Sequence, residues 1–281
     1  LTAAVNNAFD SKGQKKKRSR AVLVIYKDHI IAEKYDTGFT KNSKILGWSM
    51  TKSITATLFG ILQKQGKYDI NKPAPIPEWQ KDERKKITTN DLLHMNSGLE
   101  WEEAYDKICD ATKMLFIAED MGRVQLEKPA AFAPNTHWNY SSGTSNLLSY
   151  ILRKQFKTHQ EYLDFWYAQL IDRIGMHSML IETDMVGNYV GSSYGWATAR
   201  DWAKFGLLYL HKGNWNGDQV FDPSWENYVS TPTNGSNEGY GAHFWLNAGG
   251  HFPAAPRDMY SCNGYQGQKV FIIPSLDLVI V

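Results

Sequence analysis

Cysteine is scarce in this chain. Among 281 residues only Cys109 and Cys262 occur, far apart and without a C-x-x-C partner or a histidine at ligand spacing. A disulfide framework, a zinc knuckle and a dithiol redox site are therefore unsupported, although a single disulfide stays open. No run of 18 apolar residues is present, which excludes a transmembrane helix. Net charge of one sign is also missing: 31 Lys and Arg stand against 29 Asp and Glu, and a balance of +2 is too small to favour nucleic acid or a membrane surface. The one basic run, Lys15, Lys16, Lys17, Arg18 and Arg20, reads as a solvated face. G-x-S-x-G is absent, which disfavours an α/β-hydrolase elbow. H-E-x-x-H is absent too, and the eight histidines show no ligand spacing, so a metal hydrolase is disfavoured. No signal peptide is visible and Leu1 is not a start methionine, so the compartment is left open.

What is present is an ordinary globular composition, 42% hydrophobic and 21% charged, long enough to build a core without staples. Ten tryptophans and fifteen tyrosines would suit an aromatic-lined cleft as well as simple packing. "RAVLVIYKDHIIAEKYDTG" predicts a hairpin turning at Lys27-Asp28. "SMTKSITATLFGILQKQGK" places Met50, Ile54, Leu58, Ile61 and Leu62 at helical spacing, closed by Gly66. Residues 99–139 are polar and aromatic without period and read as loops. Helices are predicted at 145–155, at 160–173 and in "TARDWAKFGLLYLHKG", where Thr198 caps. "GYGAHFWLN", "GYQGQKVFIIP" and "LDLVIV" read as strands, the last two turning at Pro274-Ser275. Strands at both ends with helices between predict one α+β domain over 1–281. Its sheet lobe would come from about 1–48 and 197–281, and its helical lobe from about 49–196. The last strand stops at Val281 with nothing polar after it, which reads as a truncated end.

Three segments carry candidate chemistry. In "GWSMTKS", Ser49 and Lys52 lie three apart, on one face of a helix. With 18 serines and 23 lysines, chance alone gives about 1.5 such pairs, so the motif by itself is weak. Its context is better: first-turn N–H groups favour developing negative charge at Ser49, and apolar surroundings would lower the Lys52 pKa enough for it to take the serine proton. The plainer alternative is a serine cap with a solvated lysine one turn on. In "THWNYSSGTSNLLSYIL", Tyr140 precedes a helix capped by Ser141 or Ser142, and its hydroxyl could relay a proton, or it could merely pack. In "NGYQGQKVFII", Gly264 and Gly267 would let a substrate approach a strand, with the backbone N–H of Gln268 as an oxyanion donor; a β-bulge is the alternative.

"SMTK", then "YSS", then "GYQGQ" before a terminal hairpin resembles the penicillin-recognising serine hydrolases: serine β-lactamases, D-alanyl-D-alanine peptidases and their esterase and amidase relatives. "YGWATARDWAKFGLLYLHKGNWNGDQVFDPSW" looks like the branch that includes 6-aminohexanoate-dimer hydrolase and carboxylesterases. The resemblance spans roughly residues 20–281 and implies a β-lactamase/transpeptidase-like fold, with an antiparallel sheet built from both chain ends. It implies Ser49 as nucleophile, Lys52 as base, Tyr140 as proton shuttle, and the amides of Ser49 and Gln268 as oxyanion hole, with no metal or cofactor. "GLEWEEAY" is similar to the segment whose tyrosine contacts substrate in aminohexanoate hydrolases, which marks Tyr105. Tyr265, Gln266 and Gly267 stand where the family has Lys-Thr-Gly, and Ser142 stands where it has asparagine. Loss of that lysine weakens the case for carboxylate recognition unless a cation such as Arg257 substitutes. The expected function is thus hydrolysis of a small ester, amide or peptide with a neutral acyl group. The alternatives are a β-lactamase or D-alanyl-D-alanine carboxypeptidase, or a binding protein that keeps the fold. No nucleic acid partner is expected, and the oligomeric state is open.

Overall fold

The computed structural model describes residues 1–10 and 16–281; Lys15 of the basic run lies outside the described residues. Strands β1 (Ala21–Tyr26) and β2 (His29–Tyr35) form the predicted hairpin, with Lys27 and Asp28 both at positive φ (49° and 63°), the twist that suits a two-residue turn. Short β3 (Ile45–Leu46), β4 (Leu180–Ile181) and β5 (Gly195–Ala197) make a small second sheet, and β6 (Asn214–Trp215) pairs with β7 (Asp218–Gln219). β8 (Trp245–Leu246), β9 (Tyr260–Gly264), β10 (Gln268–Ile273) and β11 (Leu278–Ile280) complete the main sheet in the order β2-β1-β11-β10-β9-β8, antiparallel throughout. Both ends of the chain thus meet at its centre, where β1 pairs with β11 through Val24–Ile280.

The helices are α1 (Thr2–Asn7), α2 (Thr51–Lys64), α3 (Thr89–Leu93), α4 (Asp110–Phe116), α5 (Met121–Leu126), α6 (Ser142–Arg153), α7 (His159–Trp166), α8 (Ala199–Leu210) and α9 (Ser224–Ser230). The sequence reads 99–139 as loops, yet α4 and α5 lie there. They are short, and their apolar residues Ala111, Met114, Leu115 and Met121 pack with Trp101, Cys109 and Val190 into a separate small cluster, so no long period betrays them. α8 starts at the predicted Thr198, whose Oγ1 accepts from Asp201 N at 3.2 Å. It lies on the sheet with Gly206 against Val270 and Val279, placing one large core between sheet and helices.

α2 is the element that positions the site. Every residue from Thr51 to Leu62 is buried, so the helix is enclosed on all sides and not merely along the predicted apolar stripe. Its hydroxyls are accommodated by hydrogen bonds: Ser53 donates to His243 O at 2.7 Å, Thr55 to Gly191 O at 2.9 Å, and Thr57 to Ser53 O at 2.7 Å.

Two further strand expectations differ. Of "GYGAHFWLN" only Trp245–Leu246 is strand. "GYQGQKVFIIP" is broken by a turn at Tyr265–Gly267, with Gln266 and Gly267 at positive φ (60° and 85°), so Gly264 ends β9 and Gln268 starts the return strand. Both cysteines are buried and free.

Candidate active site

Ser49 sits in a 3₁₀ turn, Trp48–Met50, that leads into α2. Trp48 is held at φ 49°, a conformation rare for a bulky residue, and its ring is fixed edge-on by Tyr194 and Tyr265, with centroids 6.2 and 5.8 Å away. The end of β9 abuts this turn. A Cβ on Gly264 would lie 2.0 Å from Gly47 O, so only glycine lets the strand approach so closely.

Lys52 lies one helical turn below, 1% exposed. Its Nζ contacts Ser49 Oγ at 3.1 Å, Ser142 Oγ at 3.0 Å and the carbonyl of Ser192 at 2.9 Å, which matches the three donors of an ammonium. Burial lowers its pKa to about 8, and the Glu103 carboxylate pulls partly the other way. The face of Tyr140 lies over Nζ, 5.1 Å to the ring centroid. Burial, with smaller contributions from Tyr240 and Glu103, raises the Tyr140 pKa well above that of a free phenol, while a hydrogen bond with Ser49 opposes this.

Glu103 is a candidate functional residue that sequence reasoning misses. It accepts hydrogen bonds from Ser142 N at 2.8 Å, from Ser142 Oγ at 2.5 Å, and from Trp101 Nε1 and the Tyr105 hydroxyl. Glu102 and Glu103 in "EWEEAY" look like a solvated charge pair, and nothing local shows that one of them turns inward to join Lys52 through Ser142. Ser192 is equally illegible, because it contributes a backbone carbonyl. One prediction follows from the sign of the Glu103 effect. Glu103→Gln removes a charge that raises the Lys52 pKa, so any limb of activity that requires neutral Lys52 should move to lower pH. A pH profile of kcat/KM reads this, and a limb that stays in place contradicts the coupling.

A cavity of about 580 Å³ opens over Ser49. Tyr105, Tyr140 and Tyr265 line it, together with Trp245, Phe252, Ser261, Asn263, Gly264 and Lys269. The Tyr105 and Tyr265 rings meet at 4.9 Å. Of the residues singled out in the sequence, Ser49, Lys52, Tyr140, Ser142, Tyr105 and Tyr265 come together here. Gln266, Gly267 and Gln268 do not. They border a different recess with Ala21, Ile45 and Trp202. In the hairpin, Gln266 and Gly267 belong to the turn, and Gln268 becomes the cross-strand partner of Gly264. Gly267 serves the turn conformation, with no atom within 4 Å of a Cβ built there.

Comparison with known proteins agrees with this architecture. A candidate 6-aminohexanoate-dimer hydrolase from Bacillus anthracis superposes with a TM-score of 0.81 at 20% identity, over 100% of this chain and 75% of that one. A penicillin-binding protein homologue from Caulobacter crescentus gives 0.75 at 14% identity, over 99% and 90%. A D-stereospecific amidohydrolase from Streptomyces gives 0.68 at 15% identity, over 92% and 87%. At these identities the likeness is one of fold. No curated protein sequence matches the chain. The model of the family described as Beta-lactamase matches residues 5–281, nearly the whole length, and the chain belongs to that family.

Proposed function

We propose that this protein is a serine hydrolase that forms an acyl-enzyme on Ser49 and cleaves ester or amide bonds of small substrates. The observation that carries this reading is the hydrogen bond between Ser49 Oγ and the buried Lys52 Nζ, at 3.1 Å, on the floor of a cavity. A lysine with a pKa near 8 is neutral in roughly a tenth to a fifth of molecules near physiological pH, against about a thousandth for a solvated one. As a neutral amine it keeps two N–H donors, for Ser192 O and Ser142 Oγ, and turns its lone pair to the Ser49 hydroxyl. Ser142 in turn donates to Glu103, so every proton in the relay has one direction.

Acylation then proceeds as Ser49 Oγ bonds to the substrate carbonyl carbon and its proton passes to Lys52 Nζ. The oxyanion forms between the N–H groups of Ser49 and Tyr265; Tyr265 replaces Gln268 in this role because it is the residue after Gly264, where β9 meets the nucleophile turn. The scissile C–O or C–N bond breaks and the leaving group takes a proton through Tyr140. With its pKa raised, Tyr140 stays a phenol and donates, which leaves the part of base to Lys52. Water repeats the sequence to release the acid.

Intact-protein mass after exposure to a fluorophosphonate tests the reading. One adduct on the wild type, localised to Ser49 by peptide mapping, is expected. A folded protein that takes no adduct would instead support a binding protein that retains the fold.

A further inference from the structure

The cavity over Ser49 has one lysine or arginine among its lining residues and no aspartate or glutamate. That cation is Lys269, on β10, directly opposite Asn263 of β9 in the strand register. In the amide orientation that satisfies both its ends, Asn263 turns its oxygen to Lys269 Nζ at 3.2 Å and donates to Ser261 Oγ at 2.9 Å. Nζ also lies over the rings of Phe252 and Phe271, 5.7 and 5.5 Å from their centroids. Lys269 forms no ion pair with any described residue. Its ammonium is half-buried; burial lowers its pKa, with no neighbouring carboxylate to raise it. Desolvating a cation without a counter-ion is costly, and a bound anion removes that cost. Arg257, the substitute cation suggested by the sequence, instead packs its guanidinium against Gly250 and does not line the cavity.

We infer that Lys269, with Asn263 beside it, binds a carboxylate of the substrate, so that this enzyme prefers esters or amides carrying an anionic group several bonds from the scissile carbonyl. Asn263 precedes Tyr265 by two residues, so the charge lies roughly 7 Å along β9 from the oxyanion position. This rests on the hydrolase reading above and reverses the sequence-based expectation of neutral substrates.

Two matched pairs of esters test it: mono-4-nitrophenyl glutarate against 4-nitrophenyl butyrate, which puts the charge on the acyl side, and 4-carboxyphenyl butyrate against its methyl ester, which puts it on the leaving side. Wild type should favour the charged member of at least one pair. Lys269→Met should lower kcat/KM for that ester by about 10- to 100-fold, the worth of a charge-assisted contact, while changing the neutral partner by less than about threefold. Lys269→Arg should restore part of the preference. Equal losses on charged and neutral esters, or no charge preference in wild type, overturn the assignment of Lys269 while leaving the hydrolase standing. Absence of any Ser49-dependent hydrolysis overturns both.

Discussion

Ser49→Ala should reduce turnover of any substrate ester by roughly 10⁴–10⁶-fold, the range seen when a nucleophile that works in concert with its base is deleted. The other hydroxyl on Lys52 cannot take its place. Ser142 Oγ is 3.0 Å from the same lysine, but its hydroxyl donates to Glu103 and it is buried beneath the cavity floor. The fold should survive, because Ser49 sits half-exposed in a turn whose geometry is set by Trp48 and Gly264. The measurement is kcat on a 4-nitrophenyl ester together with the denaturant midpoint. Turnover within tenfold of wild type, with the protein folded, would sink the acyl-enzyme mechanism.

Lys52→Met should separate catalysis from stability more sharply. The variant loses the general base, a loss of about 10²–10⁴-fold in rate, and fluorophosphonate labelling of Ser49 should slow in parallel. Stability should change little. A depression of the pKa from 10.5 to about 8 means that the ammonium is disfavoured in the folded state by about 3 kcal/mol, a cost the thioether does not carry. Against this stands the loss of hydrogen bonds to Ser49, Ser142 and the Ser192 carbonyl, of which an orphaned buried acceptor alone costs about 1–3 kcal/mol. The two nearly cancel, so a midpoint close to that of wild type is expected beside an almost inactive enzyme. A midpoint that collapses would mean that Lys52 holds the core together. A rate that persists would mean that another group takes the Ser49 proton.

These two residues are legible in the sequence because their relation is local. Three positions on a helix place Ser49 and Lys52 on one face wherever the helix goes. The same holds for the turn at Lys27-Asp28 and the cap at Thr198. The Ser49–Lys52 pairing, and the α+β class that strands at both ends and helices between imply, therefore belong to what the amino-acid order determines by itself.

The rest of the site is decided by contacts across long separations. Lys52 meets Ser142 across 90 positions and the Ser192 carbonyl across 140, and the burial that accompanies these contacts is what lowers its pKa. Glu103 turns inward only because Trp101, Tyr105 and Ser142 converge on it. The break of "GYQGQ" into a hairpin is hidden because the β-prone "QKVFII" reads through it. That turn sets Tyr265 against Trp48 and carries Lys269 back opposite Asn263. A local pattern specifies which groups share a face, but a pocket's charge and a lysine's pKa depend on what the distant chain brings to bear on them, and only the packed structure settles that.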